Sequence, residues 1–424
     1  MRIAVIGAGI VGITTAWELA GDGHEVTVFE RRGTVAAETS FANAGVIAPG
    51  YVTPWAGPGM PRKVLRQLFA AHAPVRLAGL PNLATACWLW RWWRACDATT
   101  FETNRSAMHA LALYSQQRLR TLGKDLGFDY EQRDGYLVLL RSQRDVQQAR
   151  AGLKLLAEWG VDFHIVDAQR CRQIEPALEA ATPLVAGVHL PHDGVGNCRQ
   201  FAQALKTEAQ GRGVEFRFEH DIRTIEPGAP LKLRWSTGDH QWSQGATFDA
   251  VVVCAALGAR ALLKPLGLML PLQAVYGYSV TAPVRHFDGY PDPGPRSGLM
   301  DEAYKVAITR LGQRIRVAGS AEIGGTPEQL SPAPLATLYK VLDDWFPAAA
   351  QAGQAQVWKG ARPMLPDGPP VLGASPARGV WLNLGHGSSG WALACGSARV
   401  VADAIAGRAP AIDSTRLGIE RLRG

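Results

Sequence analysis

Residues 1–30 read MRIAVIGAGIVGITTAWELAGDGHEVTVFE, and this stretch decides the fold. The apolar run at 2–6 predicts a strand. Gly7, Gly9 and Gly12 then predict a turn opening a helix to about residue 20, and 25–29 predict a second strand ending in the acid Glu30. Gly7 permits the tight turn, Gly9 lets a pyrophosphate approach the backbone, and Gly12 lets the helix lie close to the strand. The first helical N–H groups, at Ile10, Val11 and Gly12, then face the phosphates. Glu30 is placed to accept hydrogen bonds from a ribose. A glycine turn serving packing alone is the competing reading; strand, turn, helix, strand and acid in this order favour a dinucleotide site. The motif by itself does not separate FAD from NAD.

A chain of 424 residues has room for two or three domains, or two interleaved ones, and its 47% hydrophobic content excludes disorder. A formal charge of +7 spread over this length is too mild to imply nucleic acid, though it favours an anionic surface or an acidic substrate. Cys87, Cys96, Cys171, Cys198, Cys254 and Cys395 form no CxxC pair, so no metal site is expected and a reducing compartment fits best. The apolar stretch after Arg2 imitates a signal peptide, but cleavage would remove the phosphate loop. The expectation is a cytoplasmic protein. No uncharged apolar run reaches the roughly 18 residues that cross a bilayer, so the chain can lie on the inner face of a membrane without spanning it.

After Glu30 comes RRGTVAAETSFANAGVIAPGY, a small-residue segment that can pass flat against a ligand or simply form a surface loop. Its run of Ser40, Asn43, Ala44 and Gly45 followed by Pro49, Gly50 and Tyr51 resembles the bacterial D-amino-acid dehydrogenases of the D-amino-acid oxidase, glycine oxidase and sarcosine oxidase superfamily. In that family the segment lies along the flavin ring, so the resemblance implies FAD, with Arg31, Ser40, Asn43, Ala44 and Gly45 joining Glu30 at the cofactor. Further on, PRKVLRQLF sets Val64, Leu65, Leu68 and Phe69 on one stripe beside Arg62, Lys63 and Arg66. CWLWRWWRAC then gathers Trp88, Trp90, Trp92 and Trp93 around Arg91 and Arg94. Tryptophan with arginine suits an interfacial helix; a helix buried in the substrate domain is the alternative.

Helices are expected at 104–123, 146–159, 199–210 and 390–406, and strands at 135–140, 214–218 and 249–254. By resemblance Ile222 offers its backbone to the adenine. The small-residue turn at 255–258, ending in Gly258, lies at the carboxyl end of a buried parallel strand, where ligands bind. Near the end, WLNLGHGSSGW places Gly385, Gly387, Ser388, Ser389 and Gly390 in a turn that opens a helix. Its N–H groups suit the electron-rich edge of a reduced flavin.

The resemblance runs almost end to end. It implies an α/β protein: a Rossmann-type FAD-binding domain (1–50, 190–270 and 356–424) interleaved with an α+β substrate domain built on a mixed sheet (51–189 and 271–355). The implied reaction is oxidation of a D-amino acid to an imino acid by hydride transfer to flavin, followed by hydrolysis to a 2-oxo acid and ammonia, with electrons leaving to a quinone or other acceptor.

Arg362, in WKGARPMLPDG, is the first candidate for the site, because a guanidinium forks onto a carboxylate and fixes the Cα–H direction. Tyr278 in GYS and Tyr304 in AYK are expected to line the site and donate hydroxyls. His386 is expected beside flavin or substrate, and Lys305 is a weaker candidate. No general base is evident, so substrate binding as the neutral amine would make the rate rise with pH. Two departures from the family pattern stand out: Tyr276 replaces a lysine before GYS, and Gly360 stands where sarcosine-oxidase relatives attach flavin through cysteine, so FAD is expected to be non-covalent. A dehydrogenase or oxidase for D-proline, hydroxyproline or another N-substituted amino acid is the alternative enzyme, and a flavin-binding redox sensor the non-enzymatic one.

Overall fold

The computed structural model describes residues 1–422 except Phe69, Phe128, Asp239, Phe287, Gly289 and Tyr290, and the side chains of 240–244 are also outside the description. Phe69 of the expected helical stripe therefore lies outside the described residues. The first strand, Arg2–Ile6, is flanked on one side by Glu25–Glu30 and then Glu215–Phe218, and on the other by Ala250–Val253, Val380–Leu384 and Val371–Ala374. All these pairings are parallel except the last. Ala250–Val253 reads AVVV and is buried throughout, as a central parallel strand covered on both faces requires.

One face carries Ile3, Val5, Val26, Val28 and Val252 against helices Ile10–Gly21, Cys198–Gly211 and Gly390–Ile405. The other carries Ala4, Ile6, Phe29, Val251 and Val253 against a three-stranded antiparallel sheet, His220–Glu226, Leu231–Thr237 and His240–Phe248.

A second sheet of ten strands builds the rest. Its order is Gln356–Met364, Gln273–Pro283, Arg314–Gly324, Val306–Leu311, Gly298–Asp301, Arg133–Leu140, Ala186–Val195 and Val46–Ile47. Val75–Ala78 and His164–Asp167 add to Arg314–Gly324 and Ala186–Val195. Two parallel pairings among antiparallel ones make it mixed, as expected. The sheet continues across the divisions drawn at 189/190 and 355/356. Helix Ala98–Leu126, whose sequence lies in the second portion, packs Met108, Leu111 and Leu119 into the core of the first.

Alternation along the strands separates the two faces of this sheet. Leu137, Tyr278, Val280, Leu299, Ile308 and Val317 pack under helix Pro332–Trp345. Tyr136, Val138 and Val188 point the other way. So do Val275 and Ser279; the Ser279 hydroxyl donates to the Ala42 carbonyl at 2.9 Å, tying this face to the segment that follows the fingerprint.

Candidate active site

The N-terminal turn has the geometry its glycines predict. Gly7 has φ +104°, and a Cβ there would lie 2.8 Å from the Cys254 carbonyl oxygen; a Cβ on Gly12 would lie 1.8 Å from the Gly7 carbonyl oxygen. Gly9 is freer, 3.5 Å from Ser40 Oγ. Ser40 Oγ accepts from the Ile10 N–H at 3.1 Å, and the Val11 carbonyl accepts from the Thr15 hydroxyl at 2.7 Å. Glu30 accepts from the N–H groups of Ala8 at 2.7 Å and Arg32 at 2.9 Å, while burial raises its pKa. Arg31 forks onto Glu38, at 2.6 Å.

The expected cofactor segments converge from distant parts of the chain. Asn43 accepts from the Gly45 N–H at 2.9 Å, and its carbonyl accepts from Arg316 Nη1 at 2.9 Å. Gly45, next to the half-buried Ala44, has φ +73°, and its carbonyl accepts from the Gly196 N–H at 2.8 Å. Gly258 closes its turn onto the Ala255 carbonyl at 2.9 Å. Ile222 is buried in the three-stranded sheet, opposite Trp235.

In the C-terminal turn, Gly385 and Gly387 both have positive φ, and Cβ atoms there would meet Leu365 at 2.4 Å and Met364 Sδ at 2.7 Å. Ser388 is exposed, Ser389 closes the turn onto the His386 carbonyl at 3.0 Å, and Gly390 begins the helix. Thr14 donates to the Ala394 carbonyl at 3.2 Å, joining the two glycine-opened helices. Two crowded glycine cradles at helix N-termini, with an acid between, fit the phosphates and ring of a flavin dinucleotide.

Arg362 projects from strand Gln356–Met364 opposite Val275. Its guanidinium crosses Gly277, where an added Cβ would lie 2.2 Å from Nη2. Nη1 donates to the Ser320 carbonyl at 2.7 Å, and Trp55 lies under the group at 5.9 Å from its ring centre. Among the described residues Arg362 has no carboxylate partner. Burial lowers its pKa to about 10, which leaves it charged at neutral pH. A partly buried, unpaired guanidinium is a strong site for an incoming carboxylate.

The other three expected catalytic residues are engaged in contacts of their own. Tyr278 faces away from Arg362, because it directly follows Gly277 in the strand and successive residues point to opposite faces. It is 1% exposed and donates to Glu322 at 2.8 Å under helix Pro332–Trp345, which corrects its assignment as a substrate donor. Tyr304 packs on that same side, with Arg141 over its ring at 5.1 Å and His72 at its edge. His386 is buried against Ser397 at 2.9 Å; burial lowers its pKa to about 3, so it is neutral and structural in its contacts.

Lys305, the weaker candidate, donates at 3.1 Å to the hydroxyl of Tyr51, which itself donates to Glu302 at 2.7 Å. Lys305 (φ +54°) and Ser320 (φ +59°) are left-handed without being glycine. A Cβ on Gly319 would lie 3.1 Å from the Lys305 carbonyl oxygen, so the two strained residues flank the same strand end. Tyr51 was visible as the end of the PGY run; the strain had no sequence signal. Gly360 is filled by the Trp358 ring, 1.7 Å from where a Cβ would be, so a side chain cannot be placed there without moving that ring.

The profile of the family described as FAD dependent oxidoreductase matches residues 2–404. The chain belongs to this family. Among relatives of this FAD-dependent oxidoreductase, a D-amino acid dehydrogenase of Cereibacter sphaeroides is 44% identical over 99% of this chain and 95% of its own. One from Bradyrhizobium diazoefficiens is 41% identical over 99% of both. Glycine oxidase from Geobacillus kaustophilus shares the fold with a TM-score of 0.77 at 20% identity over the whole of both chains. L-proline dehydrogenase from P. horikoshii shares it at 0.72 and 17%, over 99% of this chain and 97% of that one.

Proposed function

We propose that this chain is a D-amino-acid dehydrogenase that oxidises its substrate to an imino acid, which water then converts to a 2-oxo acid and ammonia. The observation that carries the reading is Arg362, an unpaired guanidinium laid over Gly277 and fixed through one nitrogen by the Ser320 carbonyl. The 40–44% identical relatives named D-amino acid dehydrogenases support the substrate class. Bound FAD, held non-covalently by the turns at Gly7–Gly12 and Gly385–Gly390 and by the Ser40–Gly45 segment, supplies the two-electron acceptor. The chain's own contribution is orientation. Arg362 grips the substrate carboxylate and thereby directs the Cα–H, while its fixed nitrogen limits the guanidinium to one pose. The substrate enters as the neutral amine, so the rate rises with pH until that amine is deprotonated.

Arg362→Ala is expected to abolish anaerobic flavin bleaching by D-amino acids while FAD stays bound. Bleaching by the variant at the parent rate and substrate concentration would overturn the reading.

We further propose that electrons leave to a quinone or similar acceptor at a membrane surface. Helix Leu83–Arg94 buries only Thr85 and Trp88, the latter donating to the Met364 carbonyl at 3.2 Å. Trp90, Trp93, Leu80, Leu83 and Leu65 remain exposed beside Arg62, Arg91 and Arg94. Exposed apolar bodies among cations match an interfacial helix. No helix among the described residues is long and apolar enough to cross a membrane. Sedimentation with anionic liposomes should fall when Trp90 and Trp93 become serine; unchanged sedimentation of the folded variant would remove the membrane from the proposal.

A further inference from the structure

Arg362 takes its fixed contact from an irregular strand. Between Gln273–Pro283 and Arg314–Gly324, Val275 pairs with Ile323, Tyr276 with Glu322 and Tyr278 with Gly319. Ser320 and Ala321 therefore stand opposite the single residue Gly277, which is a β-bulge. Ser320 has φ +59°, a conformation disfavoured for a residue with a side chain. The extra residue aims the Ser320 carbonyl at Arg362.

Such a bulge persists only if its surroundings hold it. Those surroundings lie on the opposite face. Tyr278 and Glu322 bracket the bulge, and the Tyr278 hydroxyl donates to Glu322 Oε2 at 2.8 Å, tying its two sides together. Glu322 also accepts from Ser331 Oγ at 2.5 Å and from Lys359 Nζ at 2.6 Å. Lys359 donates in addition to the carbonyls of Thr326 and Gln329 at 2.8 and 2.7 Å. The side chains of Lys359 and Glu322 are 1% and 3% exposed.

We infer that Tyr278, Glu322 and Lys359 are positioning residues for substrate binding: a staple behind the sheet that holds the Ser320 bulge and so sets the pose of the Arg362 guanidinium. None of the three reaches the substrate. The inference rests on Arg362 being the carboxylate clamp.

The test is binding of a carboxylate probe, anthranilate, to the FAD-loaded protein, read from the flavin absorbance, together with kcat and KM for a D-amino acid. Tyr278→Phe keeps the ring and removes the staple's hydroxyl; Glu322→Gln keeps the shape and weakens the same bond. Each should weaken anthranilate binding and raise KM about tenfold, the scale of one lost hydrogen bond, with kcat within about twofold. The double variant should lose less than the two single losses combined, because both act on the Tyr278–Glu322 bond.

Tyr278→Phe and Glu322→Gln that each leave binding within about twofold, while Arg362→Ala abolishes it, would overturn the staple alone. Additive losses, or a Tyr278→Phe loss confined to kcat, would overturn it too, since a direct donor behaves that way. Undiminished anthranilate binding by Arg362→Ala would overturn the clamp reading, and the staple's purpose with it.

Discussion

Gly277 and Tyr278 are consecutive in the chain and belong to opposite sides of one sheet. On Gly277's side the guanidinium of Arg362 has no anion among the described residues and a single internal bond. On Tyr278's side the Lys359–Glu322 pair is closed by a tyrosine, a serine and two carbonyls. The sheet thus separates an open charge available to a ligand from a satisfied one that holds the backbone. A buried charge left open costs stability and is kept for what it binds, whereas a saturated network fixes geometry.

The largest expected effect is on the saturated side. Lys359→Met leaves Glu322 buried without its cation and should cost about 3–5 kcal/mol of stability, read as a lowered urea midpoint. Joint replacement with Glu322→Leu should recover most of that loss. If the single variant unfolds like the parent, the pair is not holding the fold.

On the open side, Gly277→Ala should act on function more than on stability. Its Cβ falls on the guanidinium, so kcat/KM is expected to drop about a hundredfold, or about 2.7 kcal/mol of transition-state stabilisation. Parent-like kinetics in that variant would show that the space above Gly277 does not set the Arg362 pose.

A smaller effect concerns Asp193, which accepts from the Gly50 N–H at 3.1 Å and whose pKa burial raises to about 7. A carboxyl with its folded pKa above the unfolded value favours the folded state most when protonated. That contribution is fully present below about pH 4 and is lost as pH rises through about 7. Asp193→Asn should flatten the fall in stability between pH 5 and 8, by an amount on the order of 1–2 kcal/mol. An unaltered pH dependence of the melting temperature would show that Asp193 does not titrate there.

What the sequence revealed was what short-range chemistry encodes. The turn at Gly7–Gly12, the buried strand Ala250–Val253 and the glycine-opened helix Gly390–Ile405 announce themselves through residues that touch one another or repeat with a period. Arg362 was found through its resemblance to a family segment. Tyr278 was misplaced because its face depends on strand parity and on a bulge in a different strand some forty residues later. Neither leaves a mark in GYS itself. The surroundings of Tyr304 and His386 were hidden similarly: what each side chain packs against is decided by a helix distant in sequence or by a residue, Ser397, three turns along. Lys359 drew no attention because a lysine in WKGARP reads as a surface residue until tertiary packing encloses it.

The way the first helix is covered bears on how the protein is made. Ile13 and Trp17 share one core with Met108, Leu111, Leu393 and Val401, and strand Val380–Leu384 completes the sheet beside Ala250–Val253. On the ribosome, residues 1–30 emerge well before Leu393 and Val401, which help to bury them. Until those residues are made, the nascent chain carries an apolar helix face whose cover is incomplete, which is the condition under which chaperones engage. The glycine-turn motif is thus written long before it is enclosed.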